Sequence, residues 1–593
     1  MRLFGLLALV ITSISVSFSQ EITYTLDLSN IHHHELGVTI QFTDVDTEKL
    51  EVRMPNFSPG RYALHNFAKN IYEESATDAS GNPLKLIRLT PYAWEAPVVD
   101  GKVTFQYTIY GNHADGTYMG VDARKLHMNM PATFARGIGL EDRKVNLVIP
   151  NLPADWSVAS QLVKENKTTY SAPNYYYFYD SPTIVGKIDW REWKVGDQTI
   201  QIAMMHEGTT EELDNYTEWV KKVVEEQRTI YGELPTFDYG RYTFLIGYNP
   251  WVDGDGMEHR NSTVCTSTGS LAKNASGLIG TISHEFFHSW NIERIRPKSL
   301  EPFDFDHANL SEALWFGEGF TSYFDDLSLT RAGIYEPEQY VKSLIGGLNY
   351  VLNSPSREFR SPVKDSYNAT FVDAGTANDE TNYFNNFVSY YSYGSVIGLG
   401  LDLTLRTDFN KTLDEYMRMV WQQYGKPEIP YTLTDLQKVL AQLTNKEFAA
   451  KFFNEQIYDS KLPDFEALFN EFGIKVSLQN PNSSYFGNPK LDDNQRVQSV
   501  VIRGTALYEA GVEKGDKLLT VNGKSINSTA DLNKVINSLE IGKAYNITFE
   551  QMGMNRSGEF TTKQDPRITL SYVSDDKLNK KVVKRRNDWL EID

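Results

Sequence analysis

The chain has 593 residues, more than a single hydrophobic core supports, so several domains are expected. Its composition, 41% hydrophobic and 23% charged without long charge blocks, excludes a largely disordered protein. The formal net charge of −19 excludes a nucleic-acid binder, which needs a basic face for phosphates.

At the start, MRLFGLLALVITSISVSFSQ sets Arg2 ahead of apolar Leu3 to Val16, with small Ser17 and Ser19 after them. That is the pattern of a signal peptide over 1–19, and its apolar core is short for a bilayer span. No later stretch has the length and apolarity of a transmembrane helix. The mature chain is therefore expected to be exported, periplasmic or secreted, and soluble. With one cysteine, Cys265, no intrachain disulfide can form; in the β-branched run NSTVCTST it reads as a buried, inert thiol.

Residues 20–205 read as an all-β domain. Leu50, Val52 and Met54 alternate with Lys49, Glu51 and Arg53, and Val103, Phe105, Tyr107 and Ile109 alternate with polar neighbours. Period two on one apolar face means half-buried strands, and frequent Gly and Pro turns suggest a β-sandwich. His32, His33 and His34 are consecutive, so on a strand they cannot converge on one ion; a surface tract is expected. Near residue 206 the pattern changes. Thr209 and Glu212 form a capping-box pair, Leu213, Tyr216, Val220, Val223 and Ile230 follow at helical spacing, and Gly232 closes the helix. A strand, RYTFLIGY, comes next, and helical patterns then dominate to residue 472.

Strands return over 476–566. Ala510-Gly511-Val512, Lys514-Gly515-Asp516, the strand Lys517 to Val521 and the turn Asn522-Gly523 resemble a PDZ domain. The resemblance implies a groove that accepts an extended peptide or a protein tail as an added strand. The remaining tail, 567–593, carries KKVVKRR, which reads as a solvated helix face.

The chemistry concentrates in TISHEFFHSW. On a helix, His284 and His288 at i and i+4 share one face, and Glu285 lies beside them, within reach of a metal-activated water. Leu278, Ile279, Ile282 and Phe286 supply the apolar stripe of such a helix. This motif resembles the gluzincins, in which the third metal ligand is a glutamate on a second helix. The resemblance implies Glu318 in EALWFGEGFTSYF, 30 residues past His288. Glu312 competes, but Trp315-Phe316-x-Glu318-Gly319 resembles the glutamate-bearing helix of aminopeptidase N relatives.

Gly256-Met257-Glu258-His259 is similar to the Gly-x-Met-Glu segment of gluzincin aminopeptidases, whose glutamate holds the substrate α-ammonium. Tyr391-x-Tyr393-Gly394 resembles the family's Tyr-x-Lys-Gly, with Tyr393 in the lysine position; the oxyanion donor is then Tyr391, with Tyr390 as the alternative. Together with the trailing PDZ unit, these motifs resemble the glycyl aminopeptidase family across nearly the whole mature chain. The fold class implied is multidomain α+β: an N-terminal β-sandwich over 20–205, a mainly helical thermolysin-like zinc peptidase domain over 206–472, and a C-terminal PDZ domain over 476–566. The family implies one zinc per chain held by His284, His288 and Glu318, Glu285 as base, and Glu258 and His259 at the substrate. It also implies removal of small N-terminal residues, glycine or alanine, from peptides. Arg294 and Arg296 are expected to bind carboxylates that brace the site or the domain junction. Two rival functions remain open, an exported zinc endopeptidase and a catalytically vestigial, peptide-binding quality-control protein.

Overall fold

The structure is a computed structural model that describes residues 21–150, 152–372 and 380–592. Residues 1–19, read above as a signal peptide, lie outside the described residues. The protein is multidomain α+β: a β-rich N-terminal domain, a helical middle and a C-terminal PDZ domain. The N-terminal domain is built on an eight-stranded sheet in which Glu21–Asp27 pairs with both Glu35–Phe42 and Lys144–Val148. Two four-stranded sheets complete it, and all three share one core. The alternating residues read as inward, Leu50, Val52, Met54, Val103, Phe105, Tyr107 and Ile109, are buried there. His32 and His33 are exposed in a short turn, and His34 Nδ1 donates to Val121 O at 2.8 Å.

The middle body opens with a five-stranded sheet. Its strands Gln198–His206, Arg241–Tyr248 and Ser262–Ser267 are parallel, and Asp255–His259 forms an antiparallel edge. Helix Thr210–Tyr231 packs beside this sheet with its capping box formed and Gly232 at φ 87°. Cys265 is buried in the strand Ser262–Ser267. Two strands expected in the N-terminal domain, Asp189–Val195 and Gln198–His206, belong to this sheet instead. The crossing therefore falls near residue 188 rather than 205. Alternation looks the same whichever sheet a strand joins, so the pattern does not report the partner.

The PDZ domain has its own core and a sheet running from Lys517–Val521 to Met554–Thr561. The chain enters it through Ile474–Leu478 and leaves through Ile568–Tyr572; these two strands pair with each other. Ile474 and Leu570 lie in the core of the middle body. Helix Lys580–Leu590 follows and corrects the reading of the tail as a merely solvated face. Lys580, Lys581 and Lys584 are exposed, but Arg586, Trp589 and Leu590 are fully buried. Trp589 Nε1 donates to Tyr323 Oη at 3.0 Å, and Arg331 Nε donates to Trp589 O at 3.2 Å. The charge run masked a helix whose apolar residues cluster at its end.

N-terminal and middle domains lock through the loop after the metal motif. Arg136 Nη2 donates to Asp306 Oδ2 at 2.9 Å, and Asn56 N to Phe305 O at 2.8 Å. This contact holds the N-terminal loop around residues 56–62 against the middle body.

Candidate metal centre and active site

Helix Leu271–Phe287 carries the motif as expected, with Leu278, Ile279, Ile282 and Phe286 buried and His288 at its C-terminal cap. Glu318 joins two abutting helices, Leu314–Gly317 and Gly319–Arg331. His288 Nε2 lies 3.2 Å and His284 Nε2 3.6 Å from the same atom, Glu318 Oε2. The other ring nitrogens face acceptors: His288 Nδ1 meets Asn291 O at 2.6 Å and His284 Nδ1 meets Asp325 Oδ2 at 3.0 Å. A carbonyl or carboxylate oxygen can only accept, so each Nδ1 carries a hydrogen, and each Nε2 faces Glu318 Oε2 as the nitrogen that would give up its proton to a metal. Glu312 is not part of this group; its carboxylate faces Tyr367 Oη at 3.5 Å.

Several supports lie far from the motif in sequence. Asn291 Nδ2 donates to Phe316 O, Gly317 O and Thr321 Oγ1 at 3.0, 3.1 and 3.2 Å, tying the histidine loop to the Glu318 helices. Tyr62 of the N-terminal domain donates its hydroxyl to Glu318 Oε1 at 2.6 Å. Neither Tyr62 nor Asp325 belongs to any motif read from the chain. Asn291, three residues past His288, is the one of these supports that lies beside the motif in sequence.

Glu285 and Glu258 complete the pocket. Ligand atoms of Glu258, Glu285 and His288 lie within 4.8 Å of one another, as do those of His284, His288 and Glu318. Glu258 sits on the edge strand Asp255–His259, whose Gly256 backbone presses on Glu285. A Cβ at Gly256 would stand 2.1 Å from Glu285 Oε1, so only glycine leaves the carboxylate its place. His259, next along the strand, turns to the opposite face, where its Nδ1 meets Asp180 Oδ1 of the N-terminal domain at 2.9 Å. The structure thus gives His259 a partner outside the pocket.

Tyr391 lies over the metal motif, its ring centroid 6.1 Å from that of His284, while Tyr390 is buried edge-on to Tyr62 at 6.0 Å. Helix Tyr390–Thr404 reaches this position because it crosses the Glu318 helix at two glycines. A Cβ on Gly394 would stand 1.9 Å from Trp315 O, and one on Gly319 would stand 2.3 Å from Gly394 Cα. Arg296 matches its expectation, donating to Glu301 Oε1 at 2.9 Å and to Tyr176 Oη at 3.4 Å across the domain junction. Arg294 does not: it binds carbonyls of Ser289, Arg260 and Thr236 and the Asn261 side chain, because its buried guanidinium meets more backbone than carboxylate.

The electrostatics call for cations. Burial pushes the Glu285 carboxyl up to about 7 against the pull of His284 and His288, and burial raises Glu258 too. Burial also opposes ionisation of Glu318, but His288 and the hydrogen bonds from both imidazoles override it and hold that carboxyl far below its usual range. Glu285 Oε2 is buried with no hydrogen-bond partner among the described residues. Two inward-facing imidazole Nε2 atoms beside the Glu318 carboxylate form a donor set fitted to a divalent ion with nitrogen and oxygen ligands, the set zinc takes.

Three family models match stretches of the chain. The family model for the Peptidase M61 N-terminal domain matches residues 23–187, that for M61 glycyl aminopeptidase matches 277–397, and a PDZ domain model matches 472–561. Among solved structures, an aminopeptidase N family protein from Idiomarina loihiensis superposes with a TM-score of 0.82 at 24% identity, covering 96% of this chain and 100% of that one. An M1 zinc metallopeptidase from Deinococcus radiodurans matches at 13% identity and a TM-score of 0.44, over 75% of this chain and 95% of that one. No curated protein matches the chain.

Proposed function

We propose that this chain, a zinc metallopeptidase of the aminopeptidase type that carries the M61 glycyl aminopeptidase domains, removes small N-terminal residues such as glycine or alanine from peptides. The observation that supports this reading most is the meeting of His284 Nε2, His288 Nε2 and Glu318 Oε2, with Glu285 and Glu258 in the same buried pocket. These three residues would hold one zinc per chain. When bound, zinc supplies a Lewis acid that activates the attacking water and shares the charge of the tetrahedral intermediate.

The remaining work falls to the protein. Glu285 takes a proton from the attacking water and passes it to the leaving amine; a carboxyl lifted toward neutrality suits both directions of transfer. Glu258 binds the substrate α-ammonium, which gives a buried carboxylate the counter-charge it needs. Fixing the chain end there sets the first peptide bond beside Glu285. Tyr391 donates its hydroxyl to the developing oxyanion, a contribution of about 3 kcal/mol in comparable sites. Tyr391 suits this role better than Tyr390, because Tyr390 is packed into the cluster around Tyr62. The PDZ domain would receive an extended peptide, and an exported location accords with the sequence over 1–19.

The test uses the full chain with metal content measured in parallel. Glu285→Gln is expected to retain zinc and lose turnover, and acetylating the substrate amino terminus should abolish cleavage. Equal cleavage of blocked and free peptides would make the enzyme an endopeptidase. A wild-type chain that takes up zinc yet cleaves neither would favour a vestigial peptide-binding protein.

A further inference from the structure

We propose that Tyr62 is a positioning residue of the metal site: by occupying Glu318 Oε1, it leaves Oε2 as the oxygen that Glu318 offers to the metal. This rests on the reading that His284, His288 and Glu318 hold zinc.

The geometry divides the two carboxylate oxygens. Oε2 faces both imidazoles, at 3.2 and 3.6 Å, whereas Oε1 accepts from Tyr62 Oη at 2.6 Å. That distance falls in the range of a charge-assisted O–H···O⁻ bond, roughly 2.5–2.7 Å. The direction is forced, because an ionised carboxylate only accepts. Both groups are buried, Tyr62 at 4% and Glu318 at 1% exposure, so water does not compete for Oε1.

The residues around Tyr62 show that its place is built rather than incidental. Gly60 at φ 76° brings the backbone onto the edge strand; a Cβ there would stand 2.2 Å from Met257 Sδ and 2.9 Å from Glu258 Oε2. Arg61 pairs with Asp255 at the start of that strand, and its Nε donates to Thr117 Oγ1 at 2.8 Å. Three consecutive residues of the N-terminal domain thus touch the strand start, the ammonium-binding carboxylate and the metal-ligand carboxylate. Tyr390, edge-on to the Tyr62 ring, closes the other side.

Without the hydroxyl, Oε1 would be a buried acceptor with no donor among the described residues, able to turn toward a bound metal so that both oxygens bind. The preorganised ligand set would be lost. Outer hydrogen-bond partners of metal ligands are worth about 10- to 100-fold in affinity, and the same range is expected for Tyr62→Phe.

The experiment compares wild type, Tyr62→Phe and Tyr24→Phe in the full chain. Tyr24 is a buried tyrosine of the N-terminal core whose hydroxyl bonds to Ala135 O and Tyr175 Oη, both at 2.7 Å, and it controls for general loosening of that domain. Zinc affinity is read by chelator competition and ligand geometry by the visible spectrum of the cobalt-substituted forms. Tyr62→Phe is expected to bind zinc about 10- to 100-fold more weakly with an altered cobalt spectrum, while KM for an unblocked peptide, set by Glu258, changes little. Tyr24→Phe should match wild type in both metal readouts. An unchanged affinity and spectrum in Tyr62→Phe would overturn the proposal. So would unchanged metal binding with a lost kcat, which would place the hydroxyl on the substrate, or an equal affinity loss in Tyr24→Phe. A wild-type chain that binds no zinc would instead overturn the reading of the site itself.

Discussion

Replacing Gly256 with alanine probes the proposed base Glu285 without substituting it or any proposed metal ligand. The added methyl would stand 2.1 Å from Glu285 Oε1 and 2.8 Å from both Glu285 Cδ and Thr281 Cγ2. Ordinary contact begins near 3.4 Å, so either the carboxylate or the edge strand must retreat by about 1 Å. The strand is held by its register with Ser262–Ser267 and by the His259–Asp180 contact, so the carboxylate is the part that yields. A displacement of about 1 Å at a reacting group costs roughly 100-fold, or about 2.7 kcal/mol of transition-state stabilisation. Gly256→Ala should therefore lower kcat/KM on an unblocked alanyl substrate about 100-fold while zinc content stays at the wild-type level. Glu285→Gln, assayed beside it, sets the floor. An alanine variant within threefold of wild type at full zinc occupancy would refute the assignment of Glu285 as a precisely seated proton carrier.

Other perturbations reach other parts of the structure. Asp325→Asn removes the charge behind His284 Nδ1, 3.0 Å away, and should weaken zinc about 10- to 100-fold by chelator competition; an unchanged affinity would count against that carboxylate as a support. Trp589→Ala should destabilise the peptidase body by about 3–5 kcal/mol, seen as a lowered thermal midpoint for that body while the PDZ transition stays put. A single shared shift would mean that the two units melt together. Burial pushes the Asp365 carboxyl from 3.8 up to about 8, so the folded chain keeps a proton that the unfolded chain releases over that interval. Its contribution to stability is complete below the unfolded pKa and is lost as pH rises through the folded one. Asp365→Asn should flatten the fall of the denaturation midpoint between roughly pH 5 and 8, and an unaltered slope would exclude the group.

What could be read from the chain was local or periodic. His284 and His288 share a face because four residues make about one helical turn, and the stripe through Ile282 and Phe286 marks which face is buried. Glu258 and Glu318 were legible because each sits inside a run of distinctive residues. The groups that brace them were not. Asp325 lies 41 residues from His284, and Tyr62 lies 256 from Glu318 in a loop with no periodic signature. A contact across such separations depends on how domains dock, and no spacing encodes it. The same limit applies to Gln198–His206, whose alternation is visible while its neighbours in the sheet are not. His259 shares a motif with Glu258, yet adjacent residues on a strand face opposite ways, and only the packing showed that its partner is Asp180.

The paired strands Ile474–Leu478 and Ile568–Tyr572, with helix Lys580–Leu590 behind them, also set an order of assembly. The ribosome must translate the whole PDZ segment before it makes the second strand and the helix. Until then Arg331 lacks the Trp589 carbonyl, and the nascent peptidase exposes the apolar seam that Trp589 and Leu590 will cover. Closure of the proteolytic body thus follows synthesis of the module inserted before its last strand and helix.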